Sequence, residues 1–441
     1  MRASLDCDLV VIGGGMAGMT AAARAAGAGA RVVVVEKAAE IGGSAALSGG
    51  YLWTSTSLAQ MRRHDDGDPD LHAVVIEEYP AVLEWLRQRG IEMGPPQPVL
   101  FGRGCQIDMQ GHLRGAVRDV EAAGGHVVRN TETLAILREG AGVAGVVTSH
   151  ADGEAELRAR KVLIATGGFQ GDAEMRARHI HPAARDMGLR SNPVSNGAGL
   201  ALGIAAGGAM AGPNSGFYGH LVAHPVALKT DSDFVNYTQY HSIHGVLLNR
   251  EGRRFVDESH DDHASSQVAL RQTGATTLLV WDARVQRDFA TAAPVAGAAP
   301  LDRFELAVKA GARGGRFDRL EDIARFADSL GFDGSACVAT LASFNHQVAR
   351  APEALEPPRE GHYRPVDKPP FYVLEVASAI TFTFAGLWTD ARARALDPFG
   401  APIEGLYVAG ADVGNVYRRG YSGGLALAAT FAFRAMRTAG F

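Results

Sequence analysis

Residues 8–18 of the chain read DLVVIGGGMAG, and residues 31–36 read RVVVVE. Each short, unbroken apolar run is typical of a strand that is buried on both faces of a parallel sheet. Between them lies an alanine-rich helical stretch to about Ala26, which glycines at 27 and 29 end. The chain therefore begins with a βαβ unit of about 30 residues, and the predicted fold class is α/β.

The three glycines of this turn predict a dinucleotide ligand. Gly13, Gly15 and Gly18 have the G-x-G-x-x-G spacing, directly after a strand and at the start of a helix. Gly13 allows the tight turn, Gly15 lets the backbone approach a pyrophosphate, and Gly18 lets the helix pack on the strand. Glu36 ends the second strand, where its carboxylate can accept hydrogen bonds from a ribose diol and would repel a 2′-phosphate.

Composition excludes several classes of protein. Hydrophobic residues make up 46% and charged residues 21% of the 441, which excludes a disordered or coiled-coil protein, and 54 glycines without a three-residue period exclude collagen. The net charge of −5 provides no electrostatic footprint for nucleic acid. Cys7, Cys105 and Cys337 form no C-x-x-C pair, which argues against a disulfide scaffold, a thiolate zinc site, an Fe–S cluster and a c-type haem.

The sequence also predicts where the protein resides. The N-terminus shows no charged-then-apolar leader. No apolar run reaches the roughly 18 residues that a bilayer span needs. We therefore expect no stable membrane insertion and a cytoplasmic location.

Apolar runs that end in glycine return later in the chain, at residues 162–168 and 406–410, and a Gly-Gly pair opens a final apolar helix at 423–436. The stretch between these runs, at about residues 216–380, is different, because it holds most of the histidines and mixed polar segments. We therefore expect a second domain inserted between two parts of the first. The predicted boundaries are 1–215 for the first part of the cofactor-binding domain, 216–380 for the inserted domain and 381–441 for the second part.

This return of the chain favours FAD over NAD, because an NAD enzyme does not need its C-terminus to come back to the cofactor. A strand that ends in Ala409-Gly410, with Asp412 nearby, suits a ribityl chain. Gly423-Gly424 at a helix N-terminus presents amides and a positive dipole to the N1/O2 edge of a flavin. The sequence therefore predicts FAD as the cofactor.

Segments from both halves, in this order, resemble the flavoprotein family of fumarate reductases, succinate dehydrogenases and 3-ketosteroid Δ1-dehydrogenases. They are GGGMAGMTAAARAAGAGARVVVVEK at 13–37, GGSAALSGG at 42–50, VLIATGGF at 162–169, SNGAGLALGIAAGGA at 195–209, GLYVAGADVG at 405–414 and GYSGGLALAATFAFRAM at 420–436. The resemblance implies a Rossmann-like FAD-binding domain in which residues 216–380 form a mobile α+β capping domain that holds the substrate.

The resemblance also assigns cofactor contacts, with two departures. Ala198 stands where the family usually has Asp, and Ala411 stands where it has Glu, so Asp412 is the substitute. Some relatives attach FAD covalently through a histidine, but residues 43–48 contain none, and we predict non-covalent FAD. The residues that we expect to contact FAD are Gly13, Gly15, Met16, Ala17, Gly18, Glu36, Lys37, Gly43, Ser44, Ser48, Gly49, Gly50, Val128, Ala165, Thr166, Gly167, Asn196, Gly197, Gly410, Asp412, Ser422, Gly423, Gly424 and Leu425.

The catalytic residues of the family's dicarboxylate reductases are only partly preserved. There, an arginine after an R-F-x-x-E motif handles the proton, and two histidines and another arginine clamp the carboxylates. RRFVDE at 253–258 preserves the motif, but Asp261 stands in place of the arginine. Phe382 replaces one histidine, Tyr421 replaces the second arginine, and only His224 remains. Two lost cations would leave a dicarboxylate poorly neutralised, which argues against fumarate reduction.

The C-terminal motifs are most similar to the tricarballylate-dehydrogenase branch of the family. An aromatic pocket with a hydroxyl also suits a neutral enone, as in the ketosteroid dehydrogenases. We expect Tyr421 to act as an acid, a base or a carbonyl-binding group, the alternative being ring packing on the isoalloxazine. The other candidate catalytic residues, each with a structural or surface role as its alternative, are His224, Arg254, Asp261 and Arg419.

The predicted activity is that of an FAD-dependent dehydrogenase or reductase acting on a CH–CH or C=C bond next to a carbonyl or carboxylate. A hydride would be exchanged with flavin N5, and dehydrogenation is favoured because the reductases' arginine is missing. We expect an organic acid or enone as substrate and a separate electron acceptor, which is a quinone, another flavoprotein or oxygen. The alternatives are a flavin oxidase or monooxygenase and a non-catalytic FAD-binding protein.

A metal site is the rival interpretation of the histidines in the inserted region. The H-x-x-H pairs at 241–244 and 260–263 would place two imidazoles together, with Asp261 or Asp262 beside them. A third and a fourth ligand are not evident, and we predict no metal.

Overall fold

In the computed structural model, residues 3–293 and 299–441 are described. The strands, in chain order, are β1 (Ala3–Asp6), β2 (Leu9–Ile12), β3 (Val32–Val35), β4 (Tyr51–Thr54), β5 (Gln97–Val99), β6 (Gly102–Gln106), β7 (His126–Val128), β8 (Glu132–Glu139), β9 (Gly142–His150), β10 (Gly153–Arg158), β11 (Val162–Ile164), β12 (Gly188–Leu189), β13 (Met210–Ala211), β14 (Phe217–Ala223), β15 (Val246–Leu248), β16 (Thr276–Trp281), β17 (Gly314–Phe317), β18 (Phe371–Thr383), β19 (Gly386–Leu387), β20 (Arg394–Leu396) and β21 (Pro402–Val408). The helices are α1 (Met16–Gly27), α2 (Gly43–Ala46), α3 (Leu58–His64), α4 (Pro69–Gln88), α5 (Met109–Ala122), α6 (Ala173–His179), α7 (Ala198–Ala205), α8 (Asp231–Asn236), α9 (Asp262–Ala269), α10 (Ala283–Val285), α11 (Arg303–Lys309), α12 (Leu320–Ser329), α13 (Gly334–Arg350) and α14 (Gly424–Ala439).

The chain divides into two compact units. Unit 1 contains the residues up to Ile180, Ser191–Phe217 and Phe382–Phe441, and unit 2 contains His181–Arg190 and Tyr218–Thr381. Residues 181–190 fall within the predicted first part of the cofactor-binding domain, 1–215, but in the structure they belong to unit 2. The reason is that β12 pairs in parallel with β18, a strand of unit 2.

Unit 1 is built on a sheet that, within the described residues, has ten strands. Their order is β1-β10-β9-β21-β11-β2-β3-β7, with β8 on β9 and β20 on β21. β2 pairs in parallel with β3 and β11, and β11 pairs in parallel with β21 from the end of the chain. The valine-rich β2 and β3 are fully buried, as strands covered on both faces of a parallel sheet require. The predicted α/β class is confirmed.

The helices of unit 1 explain why the first turn and the last helix meet. Alanine, the best helix former, fills much of α1, and its small side chains let the helix pack against α14 and α5. Because β2, β11 and β21 are parallel neighbours, their carboxyl ends lie at one edge of the sheet. Ligands of such sheets bind at that edge.

Unit 2 is organised around the long strand β18. Strand order within the described part of the chain is β12-β18-β16-β15, with β14 and β17 also on β18. One apolar core lies between this sheet and helices α12 and α13, and includes Leu278, Ile323 and Phe344. Among the described residues, no helix combines the length and the apolar character that crossing a membrane would need.

Candidate functional site

The glycines of the turn after β2 have two different roles. Protein packing requires Gly13 and Gly18, whereas Gly15 leaves space in front of it. A Cβ on Gly13, which has a φ of +106°, would lie 2.3 Å from the Ala165 carbonyl oxygen, and a Cβ on Gly18 would lie 1.9 Å from the Gly13 carbonyl oxygen. A Cβ on Gly15 would have its nearest neighbour, the Gly42 carbonyl oxygen, at 3.8 Å. Gly15 is therefore not required by protein packing, and the space in front of it fits a closely approaching pyrophosphate.

Glu36 closes this turn from the second strand. Its Oε2 accepts a hydrogen bond from the Gly14 amide at 2.7 Å, and its Oε1 accepts one from the Ala38 amide at 2.7 Å. An ionised carboxylate has about four acceptor positions, so the side chain keeps capacity for a ribose diol. A cavity opens beside it, lined by residues that include Gly13, Glu36, Thr131, Thr166, Asn196 and Leu202.

Other predicted cofactor residues surround the same turn. The Gly42 amide donates to the Gly14 carbonyl at 2.8 Å, which holds the start of α2 against the glycines. Ser44 and Ser191 share a hydrogen bond of 2.8 Å between their hydroxyls. Gly50 has a φ of +72°, and a Cβ there would lie 2.7 Å from the Ile107 carbonyl oxygen. The loop over residues 42–50 is therefore held in place by its backbone and its serines.

Lys37 and Val128 lie at the ends of neighbouring strands. The Lys37 ammonium pairs with Glu132 at 2.7 Å, and both side chains are largely exposed. Val128 ends β7, and its carbonyl accepts from the Glu36 amide at 2.8 Å. Both residues thus lie next to Glu36, Lys37 by sequence and Val128 by this backbone hydrogen bond.

Asp412 joins the two chain segments that form the cofactor edge of the sheet. Its Oδ2 accepts hydrogen bonds from the amides of Thr166 at 2.5 Å and Gly167 at 2.9 Å, and its Oδ1 accepts from the Thr166 hydroxyl at 3.0 Å and the Gly168 amide at 3.3 Å. Burial raises the pKa of Asp412, while these hydrogen bonds oppose the shift. The bonds use its acceptor capacity, so we assign Asp412 to this junction and not to the ribityl chain.

Two helices begin at the same edge. Gly197 caps α7 with a φ of +83°, and a Cβ there would lie 2.3 Å from the sulfur of Met175. Gly424 and Leu425 begin α14 and are only partly buried. The amides at an N-terminus such as that of α14 are donors without partners in the helix, and they favour negative charge.

Tyr421 lies in a cluster of aromatic rings directly before α14. Its ring meets those of Trp53, Phe382 and Tyr417 edge-on, at centroid distances of 5.9, 5.9 and 5.6 Å. Its hydroxyl accepts a hydrogen bond from the Gly424 amide at 2.6 Å. Burial raises the pKa of Tyr421 to about 12, although the Gly424 amide opposes the shift. The side chain is therefore a neutral hydroxyl at physiological pH.

Asp65, which is not among the predicted site residues, holds the loop that carries Tyr421. Its Oδ1 accepts hydrogen bonds from the consecutive amides of Arg418, Arg419 and Gly420 at 2.9, 2.8 and 2.7 Å. The buried His72 lies 3.0 Å from its Oδ2. Burial alone would raise the pKa of Asp65, but the hydrogen bonds from His72 and the amides lower it. A single buried carboxylate thus fixes three residues of this loop.

Arg419, a candidate catalytic residue, has an exposed side chain. About 60% of its surface is accessible, and its guanidinium lies 3.7 Å from the Asp66 carboxylate. The loop therefore holds Arg419 through its backbone amide, which donates to Asp65.

The remaining candidate catalytic residues lie in unit 2, and two of them have structural partners. Arg254 makes a two-point contact with Glu258, at 3.0 and 2.6 Å, and both side chains are buried. Asp261 caps α9, accepting from the Ala264 amide at 2.5 Å. Arg254 therefore has its charge paired within unit 2, and Asp261 caps a helix of the same unit; their catalytic roles stay predictions.

His224 follows β14 and is half-buried. Its backbone amide donates to the Glu375 carbonyl at 2.8 Å. Burial lowers the pKa of His224, Glu375 raises it, and Arg313 lowers it further. The lowered pKa favours the uncharged imidazole at neutral pH, and His224 neighbours an ion pair between Arg313 and Glu375.

The other histidines of unit 2 do not assemble into a metal site. Across residues 3–293 and 299–441, no group of three or more His, Cys, Asp or Glu side chains is placed to hold a metal ion. His241 and His244 are buried, and burial lowers their pKa values to about 3 and about 4. A different histidine, His220, contacts Asp262 and Tyr218. Its only sequence signal is the Y-x-H alternation on β14.

Comparisons with known proteins agree with this geometry. The family model described as "FAD binding domain" matches residues 8–93 and 102–425. The chain is 26% identical to "Fumarate reductase (cytochrome)" of Shewanella frigidimarina, over 97% of this chain and 75% of that protein. It is also 26% identical to "4-oxocyclohexanecarboxylate 2-dehydrogenase" of Sinomonas cyclohexanicum, over 94% of this chain and 89% of that protein.

One solved structure shows the shared fold over both full lengths. It is the 3-ketosteroid-delta4-(5alpha)-dehydrogenase of Rhodococcus jostii RHA1 in complex with 4-androstene-3,17-dione. Its TM-score is 0.78 at 20% identity, and the likeness covers 100% of each chain. The resemblance stated from the sequence is confirmed at the level of the family and the fold.

Proposed function

Because this chain belongs to the FAD binding domain family and is an FAD-dependent oxidoreductase of CH–CH or C=C bonds, we propose that it dehydrogenates a substrate next to a carbonyl group. The observation that carries the proposal is the environment of Tyr421. Its hydroxyl lies among the rings of Trp53, Phe382 and Tyr417. A carboxylate buried there would need cations or several donors, whereas a ketone oxygen needs a neutral donor.

Tyr421 is suited to hold such an oxygen. Its raised pKa keeps the hydroxyl protonated, and the hydrogen bond that it accepts from Gly424 strengthens the hydroxyl as a donor. A donor aimed at a carbonyl oxygen stabilises the negative charge that forms there when the α-proton leaves. We therefore assign carbonyl binding to Tyr421, and the α-proton acceptor is a separate group.

FAD, when bound, supplies the acceptor for the β-hydrogen as a hydride at N5. Gly13, Gly15, Glu36 and the N-terminus of α14 would hold the cofactor. We propose dehydrogenation as the direction, since Asp261, at the position of the reductases' arginine, caps a helix.

Electrons must leave the reduced cofactor before each new turnover. We propose a separate acceptor, which is a quinone, another flavoprotein or oxygen. The predicted cytoplasmic location stays a prediction, and fractionation of cells that express the tagged protein would test it.

Anaerobic mixing of the yellow protein with ketones tests the function. We expect 4-oxocyclohexanecarboxylate or 4-androstene-3,17-dione to bleach the flavin absorption, and 2-cyclohexen-1-one to restore it in photoreduced protein. Fumarate should restore it far more slowly. Reoxidation by fumarate alone would contradict the assignment to neutral carbonyls, and no exchange with any compound would leave a non-catalytic FAD protein. Stoichiometric peroxide in air would identify oxygen as the electron acceptor, whereas oxygen incorporated into the product would identify a monooxygenase.

The mode of FAD attachment is tested separately. We propose non-covalent binding, because residues 43–48 contain no histidine. Acid precipitation should release all of the yellow colour into the supernatant, and colour that stays with the pellet would contradict the proposal.

A further inference from the structure

Strand β4 and the start of α14 are joined by a pair of buried serines. The Ser55 amide donates to the Ser422 hydroxyl oxygen at 3.0 Å, and the two hydroxyl oxygens lie 2.6 Å apart. Ser55 directly follows β4, and Ser422 lies two residues before the first residue of α14. Both serines are buried, and both belong to unit 1. A contact within one compact unit thus links residues that are 367 positions apart.

The start of α14 cannot carry a capping side chain. Its N-cap is Gly423, which has no side chain to accept from the first turn as Ser, Thr, Asp or Asn would. A Cβ on Gly423 would lie 1.9 Å from the Trp53 carbonyl oxygen. The close approach of β4 therefore excludes a capping residue, and the position of the helix start depends on the contacts of its neighbours. Ser422, the residue before the N-cap, provides one of them.

Two further contacts hold the same short segment within unit 1. The Tyr417 hydroxyl lies 3.5 Å from the Gly423 carbonyl oxygen, and the Ser422 amide donates to this hydroxyl. Trp53, on β4, meets the ring of Tyr421 edge-on. Tyr417 thus fixes the backbone before the helix, whereas Ser55 fixes the Ser422 side chain.

The first turn of α14 is the part of the helix that favours negative charge. The amides of Leu425 and Ala426 have no carbonyl within the helix to bind. The aligned peptide dipoles also place a partial positive charge there, and its effect falls off within one turn. Reduced FAD carries more negative charge at its N1/O2 edge than oxidised FAD. A displaced helix start would therefore weaken the binding of reduced FAD more than that of oxidised FAD.

We propose that Ser55 and Ser422 are positioning residues that hold the start of α14 and thereby set the reduction potential of bound FAD. The inference rests on the proposed binding of FAD at the N-terminus of α14 and not on the proposed substrate. Ser422, a predicted cofactor contact, acts through the helix and not on FAD itself, because its hydroxyl is bonded to Ser55.

The two-electron midpoint potential of the holoprotein, measured by equilibration with redox dyes, tests the pair. Ser422→Ala should weaken the binding of reduced FAD about tenfold relative to oxidised FAD, which lowers the potential by about 30 mV. Ser55→Ala keeps the amide contact and should lower the potential by less, and Ser55→Thr, which keeps the hydroxyl, should recover the wild-type value. Ser215→Ala is the matched control and should have the wild-type potential. Ser215 is a buried serine of unit 1 whose hydroxyl finds no hydrogen-bond partner among the described residues.

The double variant Ser55→Ala/Ser422→Ala separates one shared role from two independent ones. If the two hydroxyls act as a single contact, its potential should equal that of Ser422→Ala, because the effects of residues in contact do not add. Shifts that add, or a shift in Ser422→Ala alone, would show that Ser422 acts on FAD directly and would overturn the inference. A lower free energy of unfolding with an unchanged potential would reduce the pair to a structural role.

Leu425→Glu distinguishes this inference from the proposed cofactor site. It places a negative charge in the first turn of α14, so it should lower the potential if this turn faces the flavin, whatever the serines do. A lowered potential in Leu425→Glu, with wild-type potentials in the serine variants, would overturn the positioning and leave the cofactor site standing. Wild-type potentials in all of these variants would overturn both. Flavin absorption and chemical denaturation verify folding, and if Ser422→Ala does not retain FAD, Ser55→Ala against Ser55→Thr decides.

Discussion

The glycine turn of unit 1 (residues 13–18) and the line of side chains in unit 2 (Tyr218, His220 and Asp262) are built in different ways. The turn uses backbone groups within six consecutive residues, and its fit depends on where a Cβ would collide. The unit 2 line uses side chains from a strand and a helix that are 42 positions apart between His220 and Asp262. A site built from backbone groups can therefore be recognised by the spacing of its glycines, whereas a site built from side chains depends on how distant segments pack.

The largest test of the backbone site is Gly18→Ala. A Cβ there would lie 1.9 Å from the Gly13 carbonyl oxygen, so we expect the free energy of unfolding to fall by about 3 kcal/mol and FAD to be lost. Chemical denaturation and the ratio of flavin to protein absorption measure both effects. Gly27→Ala, in the same helix, is the control, because its Cβ would meet nothing within 4 Å. Equal losses in the two variants would contradict the steric account.

Gly15→Ala sharpens the comparison, because it should affect the ligand and not the fold. Its Cβ would meet no protein atom closer than 3.8 Å. We expect the apoprotein to unfold at the wild-type denaturant concentration, while the Kd for FAD rises by about a hundredfold, or about 2.7 kcal/mol. Fluorescence titration of the apoprotein measures the Kd. Wild-type affinity would show that no ligand approaches Gly15.

Asp412→Asn tests whether a side chain within unit 1 has a structural role. The amide nitrogen of asparagine would face the amides of Thr166 and Gly167 as a second donor, and we expect unfolding to become easier by about 2 kcal/mol. Urea unfolding measures the change. Asp152, whose side chain is 97% exposed, provides the control Asp152→Asn, which should leave stability unchanged. Intact stability with weakened FAD binding would return Asp412 to the ribityl role.

Asp65→Asn should cost about 1.5 kcal/mol at neutral pH, because the Gly67 amide would lose its acceptor and His72 the carboxylate that it contacts. The pKa of Asp65 is lowered in the folded state from 3.8. Its stabilisation is therefore fully present well above pH 3.8 and is lost as pH falls through the lowered value. The difference between wild type and variant, measured by denaturant unfolding, should shrink on acidification. A difference that stays constant with pH would contradict the role of the charge.

Tyr421→Phe has the smallest expected effect and leaves the cofactor site intact. Loss of the hydroxyl should lower turnover by about tenfold, or about 1.4 kcal/mol in activation free energy. The flavin spectrum should not change. Steady-state kinetics on the ketones above measure turnover, with Tyr407→Phe on β21 as the control. Wild-type turnover would remove Tyr421 from carbonyl binding and favour ring packing alone.

The sequence predicted the cofactor half of the fold because its signals are local. Residues 8–18 already contain the strand, the turn and the start of the helix, and the later apolar runs with glycine ends became β11, β21 and α14. Residues 181–190 were missed because β12 has only two residues and depends on a strand almost 200 positions later.

The candidate site was predictable only where the interacting residues lie close together in the sequence. Arg254 and Glu258 belong to one motif, and the structure pairs them. Asp412 was identified as important, but its partners at 166–168 lie about 245 positions away, so its role could not be derived. No spacing signal linked His220 to Asp262, because this strand and this helix meet only in the folded unit.

The chain passes between the two units four times, after Ile180, Arg190, Phe217 and Thr381. Recombination between relatives therefore cannot move unit 2 as one cassette. A chimaera that transplants residues 218–381 alone would separate β18 of the donor from its own parallel neighbour β12. To exchange unit 2 between two relatives, the chain must be cut in four places, two more than a single insertion would need. The ten residues at 181–190 must be exchanged together with residues 218–381.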